Sequence, residues 1–119
     1  MTDKPIWITE ADVVELISLP EAIDALERTL ALEASDQAAS MAKTHLMVAD
    51  NDAMHAIGGA ASGAGICGFK TWINVQGKSE TTMTLFSTRD GACLAVIEAT
   101  ALGQMRTASV TGVGTKRLA

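Results

Sequence analysis

The spacing of apolar residues changes near residue 40, and this change fixes the class of fold that the chain can adopt. Ile23, Leu26 and Leu30 recur at helical intervals, so they lie on one face of a helix. From Thr44 onward the pattern becomes that of short strands separated by turn residues. Helices followed by consecutive strands predict an α+β protein with a mostly antiparallel sheet and with helices against one of its faces.

Two N-terminal helices have clear starting signals. Thr9 can cap the first helix, and Asp12 stands at the third position, where its charge is favourable. Ser18 can cap the second helix, Pro20 is tolerated in the first turn, and Glu21 completes a capping box. We therefore predict one helix after Thr9 and another after Ser18.

About five strands follow, and one helix ends the chain. Turn residues stand at 50–52 and at 88–91, and Thr100 can cap the last helix. Residues 58–68 are rich in glycine and alanine, so they are predicted to form a loop that runs into a close-packed strand. The predicted strands are residues 44–49, 53–57, 69–75, 81–87 and 93–97.

The length of 119 residues suits a single domain over residues 1–119. No closing cap follows the last helix at residues 116–119, so we expect the chain to be part of a longer protein. The N-terminus has mixed charge with no apolar run behind it, and no apolar stretch is long enough to span a bilayer. A cytoplasmic protein without a membrane partner is the simplest expectation.

Composition restricts the partners and metals that the chain can bind. The formal net charge is −5 and aromatic residues make up 3%, whereas nucleic-acid binding needs a basic surface and stacking platforms. We therefore expect no nucleic-acid partner. Cys67 and Cys93 stand among small apolar residues, which favours buried, reduced thiols. His45 and His55 can be cross-strand neighbours, but they lack the further ligands of a zinc set, so no metal site is predicted.

One glycine motif has the form of a dinucleotide fingerprint. Gly63, Gly65 and Gly68 match G-x-G-x-x-G, which binds a pyrophosphate only when a helix follows it. Here residues 69–75 favour a strand, and no acidic residue stands at the position expected for a ribose contact. The motif therefore predicts a loop with close backbone packing, not a nucleotide site.

Two basic residues are candidates for binding an anion. Strand alternation places Lys70, Trp72 and Asn74 on one face, where Lys70 is either a charge on an edge strand or an anion ligand inside a pocket. Arg106, near the start of the last helix, is either solvated or able to grip a carboxylate with its planar guanidinium. The residues alone leave both alternatives open.

The order of these features resembles the N-terminal part of the ornithine cyclodeaminase/μ-crystallin family across nearly the whole chain. The end of the series, Met105-Arg-Thr-Ala, resembles the start of a helix typical of this family. The stretches that carry the resemblance are residues 8–13, 21–26, 43–46, 68–70, 84–86, 90–91, 94–102 and 105–108.

The resemblance implies a homodimer whose first domain binds substrate, with NAD or NADP held by a second, Rossmann-type domain that this chain does not contain. By position, Lys70 matches the lysine that contacts the substrate carboxylate, and Arg106 matches an arginine at the junction of substrate and cofactor. Lys43 stands where the family usually has a substrate-binding arginine, a change that loses bidentate geometry. Thr81 falls near a cofactor-contacting threonine, in a segment shorter than the family pattern.

The leading hypothesis is therefore a truncated or partial family member. It would form the substrate-binding and dimer-forming half of an NAD(P)-dependent amino-acid deaminase or imine reductase. The chain alone is expected to bind no cofactor and to have no turnover, because it lacks the site for the hydride carrier. The main alternative is a stand-alone, non-catalytic module that dimerises through its sheet. A third hypothesis is a small enzyme that uses Lys70 as a nucleophile.

Overall fold

The computed structural model describes residues 4–118, and the predictions that concern residues 1–3 and Ala119 lie outside this range. Within it, three α-helices and a seven-stranded sheet give an α+β fold, which confirms the predicted class with slightly more strands than expected. The elements in chain order are β1 Ile6–Ile8, α1 Glu10–Leu16, α2 Leu19–Ala34, β2 Ala39–Ser40, β3 Thr44–Ala49, β4 Asp52–Ala61, a 3₁₀ turn Ser62–Ala64, β5 Ile66–Val75, β6 Lys78–Ser87, β7 Cys93–Glu98 and α3 Thr100–Leu118.

The sheet has the order β1-β7-β6-β5-β4-β2, and β3 also pairs with β4. Strands β4 to β7 follow one another through antiparallel pairing, as expected from the short turns between them. β1 lies parallel to β7, with Ile6 opposite Ala95. Both β2 and β3 pair with β4. β2 pairs with Gly59 and Ala60, and β3 pairs with the segment from Asp52 to Ala56.

Both predicted capping boxes are present. The Thr9 hydroxyl accepts from the Asp12 amide at 3.1 Å, and the Asp12 carboxylate accepts from the Thr9 amide at 2.9 Å. Ser18 and Glu21 make the same exchange at the start of α2. The backbone hydrogen bond from Thr9 lowers the pKa of Asp12, and the hydrogen bond from the Ser18 side chain lowers the pKa of Glu21.

The helices cover one face of the sheet, and small residues fill the contact. Ala95 in β7 and Ala99 at the start of α3 are almost fully buried, and so is Ser109, whose hydroxyl donates to the Met105 carbonyl at 2.6 Å. Gly112 lets α3 approach α2, because a Cβ at this position would lie 2.7 Å from Ile23 Cδ1. Within residues 4–118, no helix is long and apolar enough to cross a membrane.

The structure corrects two local predictions. Residues 58–61 and 66–68 belong to β4 and β5, so the predicted loop shrinks to one short turn. Thr100 does not cap α3 but is its first residue, and its amide donates to the Glu10 carboxylate at 3.1 Å. A distant side chain thus takes the capping role, which the local sequence of α3 does not reveal.

Candidate functional site

An open cleft of about 570 Å³ lies between the sheet and α3. Lys70 and Trp72 of β5 and Thr81 of β6 form its floor, because Trp72 pairs with Thr81 and Lys70 stands two residues away on the same face. Small and polar residues of α3 form its wall. The complete lining is Lys70, Trp72, Thr81, Ala99, Thr100, Gly103, Gln104, Thr107, Ala108 and Thr111.

Basic side chains gather round Trp72 at this floor. Lys70 Nζ lies 4.8 Å from the centre of the Trp72 ring, and Lys43 Nζ lies 5.9 Å from it. The imidazole of His55 stacks on Trp72, with centroids 4.8 Å apart and planes 12° apart. His45 stacks on His55 in turn, at 5.9 Å. We call these five residues (Lys43, His45, His55, Lys70 and Trp72) the Trp72 cluster.

The sheet register explains why these rings meet. His45 is opposite His55 in the β3–β4 pair, and His55 is opposite Trp72 in the β4–β5 pair. Directly opposed side chains share a face and stand close enough for their rings to touch. The prediction that the two histidines are cross-strand neighbours is therefore confirmed, and so is the shared face of Lys70 and Trp72.

A short polar chain orients His55. Ser79 Oγ donates to Asn74 Oδ1, which leaves the Asn74 amide nitrogen to donate to His55 Nε2 at 3.3 Å. In the neutral ring, the proton must then be on Nδ1. That atom is buried and has no hydrogen-bond partner among the described residues. The stacked position of His55 is thus fixed by Asn74 on one edge and by Trp72 on one face.

The cluster contains two lysines, and neither has an ion-pair partner within the described residues. Within residues 4–118, the ion pairs join Glu27 to Lys116 and Arg117, and neither Lys43 nor Lys70 takes part in one. The cleft lining also contains no carboxylate. In a chain with a net charge of −5, this concentration of basic groups can attract anions locally.

The predicted site residues are thus only partly brought together. Lys43, Lys70 and Thr81 all surround or adjoin Trp72, whereas Arg106 is exposed on α3 and does not line the cleft. The α3 wall was not predicted. The sequence pattern that could have indicated this wall is a stripe of small and polar residues at helical spacing, namely Thr100, Gly103, Gln104, Thr107 and Thr111. In the part of the chain that the structure describes, no three His, Cys, Asp or Glu side chains are grouped so that they could hold a metal ion.

The glycine motif has a structural role. Gly65 adopts a left-handed φ of 78°, and Gly68 lies so close to β6 that a Cβ would stand 2.5 Å from the Thr84 carbonyl oxygen. A strand, β5, follows the motif, so no helix N-terminus is available there for a pyrophosphate. The residues of this motif therefore do not fit a dinucleotide, as the sequence indicated.

Comparisons with known proteins show the same fold in several solved structures. A probable ornithine cyclodeaminase from Bordetella pertussis Tohama I superposes with a TM-score of 0.85 at 24% identity, over 91% of this chain and 34% of that one. A Thermococcus litoralis Δ(1)-pyrroline-2-carboxylate reductase, solved with NADH and L-proline, superposes with a TM-score of 0.86 at 23% identity. The match covers 93% of this chain and 37% of that one. An archaeal alanine dehydrogenase dimer with bound NAD superposes with a TM-score of 0.82 at 27% identity. The match covers 91% of this chain and 35% of that one.

The chain therefore spans about a third of the length of these solved proteins. A search of curated proteins found no significant match. The profile of the ornithine cyclodeaminase/mu-crystallin family matches residues 4–119, nearly the whole sequence. This match, together with the shared fold, shows that the chain belongs to the ornithine cyclodeaminase/mu-crystallin family.

Proposed function

We propose that this chain is the substrate-binding and dimer-forming part of an NAD(P)-dependent amino-acid deaminase or imine reductase. Lys70 holds the carboxylate of a small amino or imino acid in the cleft between β5 and α3. The observation that carries the proposal is the ammonium of Lys70, which lies 4.8 Å from the Trp72 ring centre at an open cleft and forms no ion pair within residues 4–118. Such a cation is available for a bound anion.

The cleft can also position the rest of a small substrate. Trp72 forms an apolar floor, while Thr81, Thr100 and Gln104 place hydroxyl and amide groups around it. A largely apolar surface with a few convergent polar groups is typical of small-molecule sites. Lys43, within 5.9 Å of the same ring centre, adds a second charge that strengthens the attraction for the carboxylate.

The nicotinamide cofactor supplies hydride transfer in this proposal, and residues outside this chain bind it. Two similar solved structures contain NAD or NADH, in proteins about two and a half times as long as this chain. The glycine motif at residues 63–68 does not fit a dinucleotide, so in this proposal the chain supplies the substrate side of the site. We therefore expect the 119-residue chain to oxidise no amino acid and reduce no imine by itself.

The dimer part of the proposal rests on the face of the sheet that the helices leave open. Trp7, Phe69 and Ile73 point to this face, because they are not on the face that carries Lys70 and Trp72. Leu46 and Met54 stand opposite Ile73 across two strand pairs and share its face. All five are between 40% and 62% exposed. An apolar surface of this kind marks an interaction site, and a second copy of the chain covers it in our proposal.

Carboxylate binding by the chain tests the proposed function. Titration with L-proline, followed by NMR at the Trp72 indole, is expected to give saturable shifts. Lys70→Ala should weaken this binding about tenfold or more, since it removes a charge-assisted contact. Lys70→Arg should retain part of it. Lys78→Ala is the matched control, because Lys78 is an exposed lysine at the start of β6, away from the cleft.

Two other outcomes would support the alternatives. A stand-alone module predicts that Lys70→Ala changes neither folding nor binding. A lysine nucleophile predicts a stable adduct at Lys70 when a carbonyl compound and borohydride are added, because reduction makes the Schiff base permanent. Mass spectrometry of the intact chain would detect that adduct.

A further inference from the structure

We propose that Gly103 of α3 determines which substrates the cleft accepts, because it leaves room there for a bulky, uncharged hydrocarbon side chain. This inference rests on the proposed function, in which Lys70 holds the substrate carboxylate. It concerns the opposite side of the cleft, where α3 forms the wall. The substrate class that it specifies is an amino or imino acid with a large apolar side chain.

Backbone hydrogen bonds place Gly103 next to the floor of the cleft. Thr81 lies opposite Trp72 in the β5–β6 pair, and its carbonyl oxygen accepts a hydrogen bond of 2.9 Å from the Ala99 amide. The Ala99 carbonyl oxygen in turn accepts one of 2.9 Å from the Gly103 amide. Gly103 therefore stands about one helical turn from the point where α3 is anchored to β6, and it lines the cleft with Trp72 and Thr81.

Neither backbone conformation nor close packing explains a glycine at this position. Gly103 is not among the glycines of the described chain that have a left-handed φ. Apart from the backbone of its own helix, an added Cβ at Gly103 would meet nothing within 4 Å among residues 4–118, whereas a Cβ at Gly112 would collide with Ile23 of α2. Glycine within a helix is less favourable than alanine, so the missing side chain lowers stability without improving packing. What it provides is free space in the cleft.

The wall around Gly103 carries no charge. Ala99 and Ala108 also line the cleft, and the Thr107 hydroxyl donates to the Gly103 carbonyl oxygen at 3.2 Å, so its proton is used within the helix. All the residues that α3 and β6 contribute to the lining are uncharged. A charged group at the end of a substrate side chain would lose hydration here without meeting an opposite charge. A hydrocarbon side chain, in contrast, is stabilised when it leaves water.

Two amino acids with the same charges and different side chains test the inference. L-leucine and L-alanine are titrated into the 119-residue chain, with NMR shifts of the Trp72 indole as the readout. L-leucine is expected to bind about tenfold more tightly, because its three additional carbon atoms are partly removed from water in the cleft.

Substitution of Gly103 should remove this preference. Gly103→Leu is expected to weaken leucine binding about tenfold and to leave alanine binding nearly unchanged, because the new side chain occupies the free space. Gly103→Ala should have an intermediate effect. Gly114→Leu is the matched control and should change neither affinity, because Gly114 lies in the same helix, has equal room for a Cβ and does not line the cleft.

Thermal unfolding separates a filled cleft from a damaged fold. Leucine has a higher helix propensity than glycine, so Gly103→Leu and Gly114→Leu should both unfold at or above the temperature of the unaltered chain. A loss of leucine binding in Gly103→Leu at unchanged or higher stability then reports on the space in the cleft.

Four results would overturn the inference. These are equal affinities of the unaltered chain for leucine and alanine, an unchanged preference for leucine in Gly103→Leu, an equal loss of both amino acids in that variant, and tighter binding of L-glutamate or L-ornithine than of L-leucine. The proposed function fails by a different result, namely no saturable shift with either amino acid or unchanged binding of both in Lys70→Ala. The two failures are therefore distinguishable within one set of titrations.

Discussion

The carboxylate of Glu10, at the start of α1, accepts a hydrogen bond of 3.1 Å from the backbone amide of Thr100, the first residue of α3. It also accepts one of 3.2 Å from Ala101. The first amides of a helix have no partner within the helix, and the positive end of the helix dipole attracts a carboxylate. A residue 90 positions away in sequence thus caps the helix that forms the wall of the cleft.

Replacing Glu10 should therefore destabilise α3 specifically. Glu10→Ala is expected to lower the free energy of unfolding by about 1 kcal/mol, the usual cost of losing a helix cap. Glu10→Gln should lower it less, since the amide oxygen still accepts a hydrogen bond. Urea denaturation followed by circular dichroism measures both. Glu15→Ala, an exposed glutamate of the same helix, is the control, and an equal loss in that variant would contradict the capping role.

Stability should fall in acid through Glu98. Its carboxylate accepts from the Trp7 indole at 2.8 Å and from the Glu10 amide at 3.0 Å, and the Trp7 bond is the larger cause of its lowered pKa. When the folded-state pKa lies below the unfolded one, the stabilisation is complete above the unfolded pKa and is lost as pH falls through the folded pKa.

A variant that lacks the Glu98 carboxylate should show a flatter pH dependence of its unfolding free energy. Between about pH 5 and about pH 3, Glu98→Gln is expected to lose less of its unfolding free energy than the unaltered chain loses. Denaturant midpoints measured across this range test the prediction. Glu33→Gln, at an exposed position on α2, should keep the full slope. Identical slopes in Glu98→Gln and the unaltered chain would show that the Trp7–Glu98 bond does not contribute.

Two glycine substitutions should change the stability of the fold in opposite directions. Gly68→Ala would place a Cβ 2.5 Å from the backbone oxygen of Thr84, and such overpacking costs about 1–3 kcal/mol. Gly114→Ala meets nothing within 4 Å inside α3, so it should stabilise by about 0.5–1 kcal/mol through the higher helix propensity of alanine. Thermal unfolding of both variants checks the pair. A neutral Gly68→Ala would refute the close-packing explanation of the glycine motif.

Local signals in the sequence predicted the elements that local interactions stabilise. The capping boxes at Thr9 and Ser18 lie within four residues, so the starts of α1 and α2 were correct. β1 has only three residues and pairs with β7, and its position is decided by contacts that no local pattern encodes. The same holds for the cap of α3, which comes from Glu10.

The candidate site was predictable to the extent that strand alternation determines it. Alternation placed Lys70 beside Trp72, and the short β3–β4 turn placed His45 beside His55. That these two pairs form one cluster depends on the β4–β5 register, which brings His55 opposite Trp72. The β4 and β5 strands that set this register were partly predicted as loop. The sequence therefore did not predict that His55 lies opposite Trp72.

The open face of the sheet supplies the last prediction. If a second copy covers this face, Ile73→Lys would bury a charge at the interface, where the cross-strand neighbours of residue 73 are Met54 and Glu80. We expect dimerisation to weaken at least about a hundredfold, measured by sedimentation equilibrium, with unchanged circular dichroism. Val14→Lys, at an apolar position of α1 that is 63% exposed, is the matched control. Dissociation by Val14→Lys but not by Ile73→Lys would place the interface on the helices, and a monomeric unaltered chain would remove the dimer from the proposal.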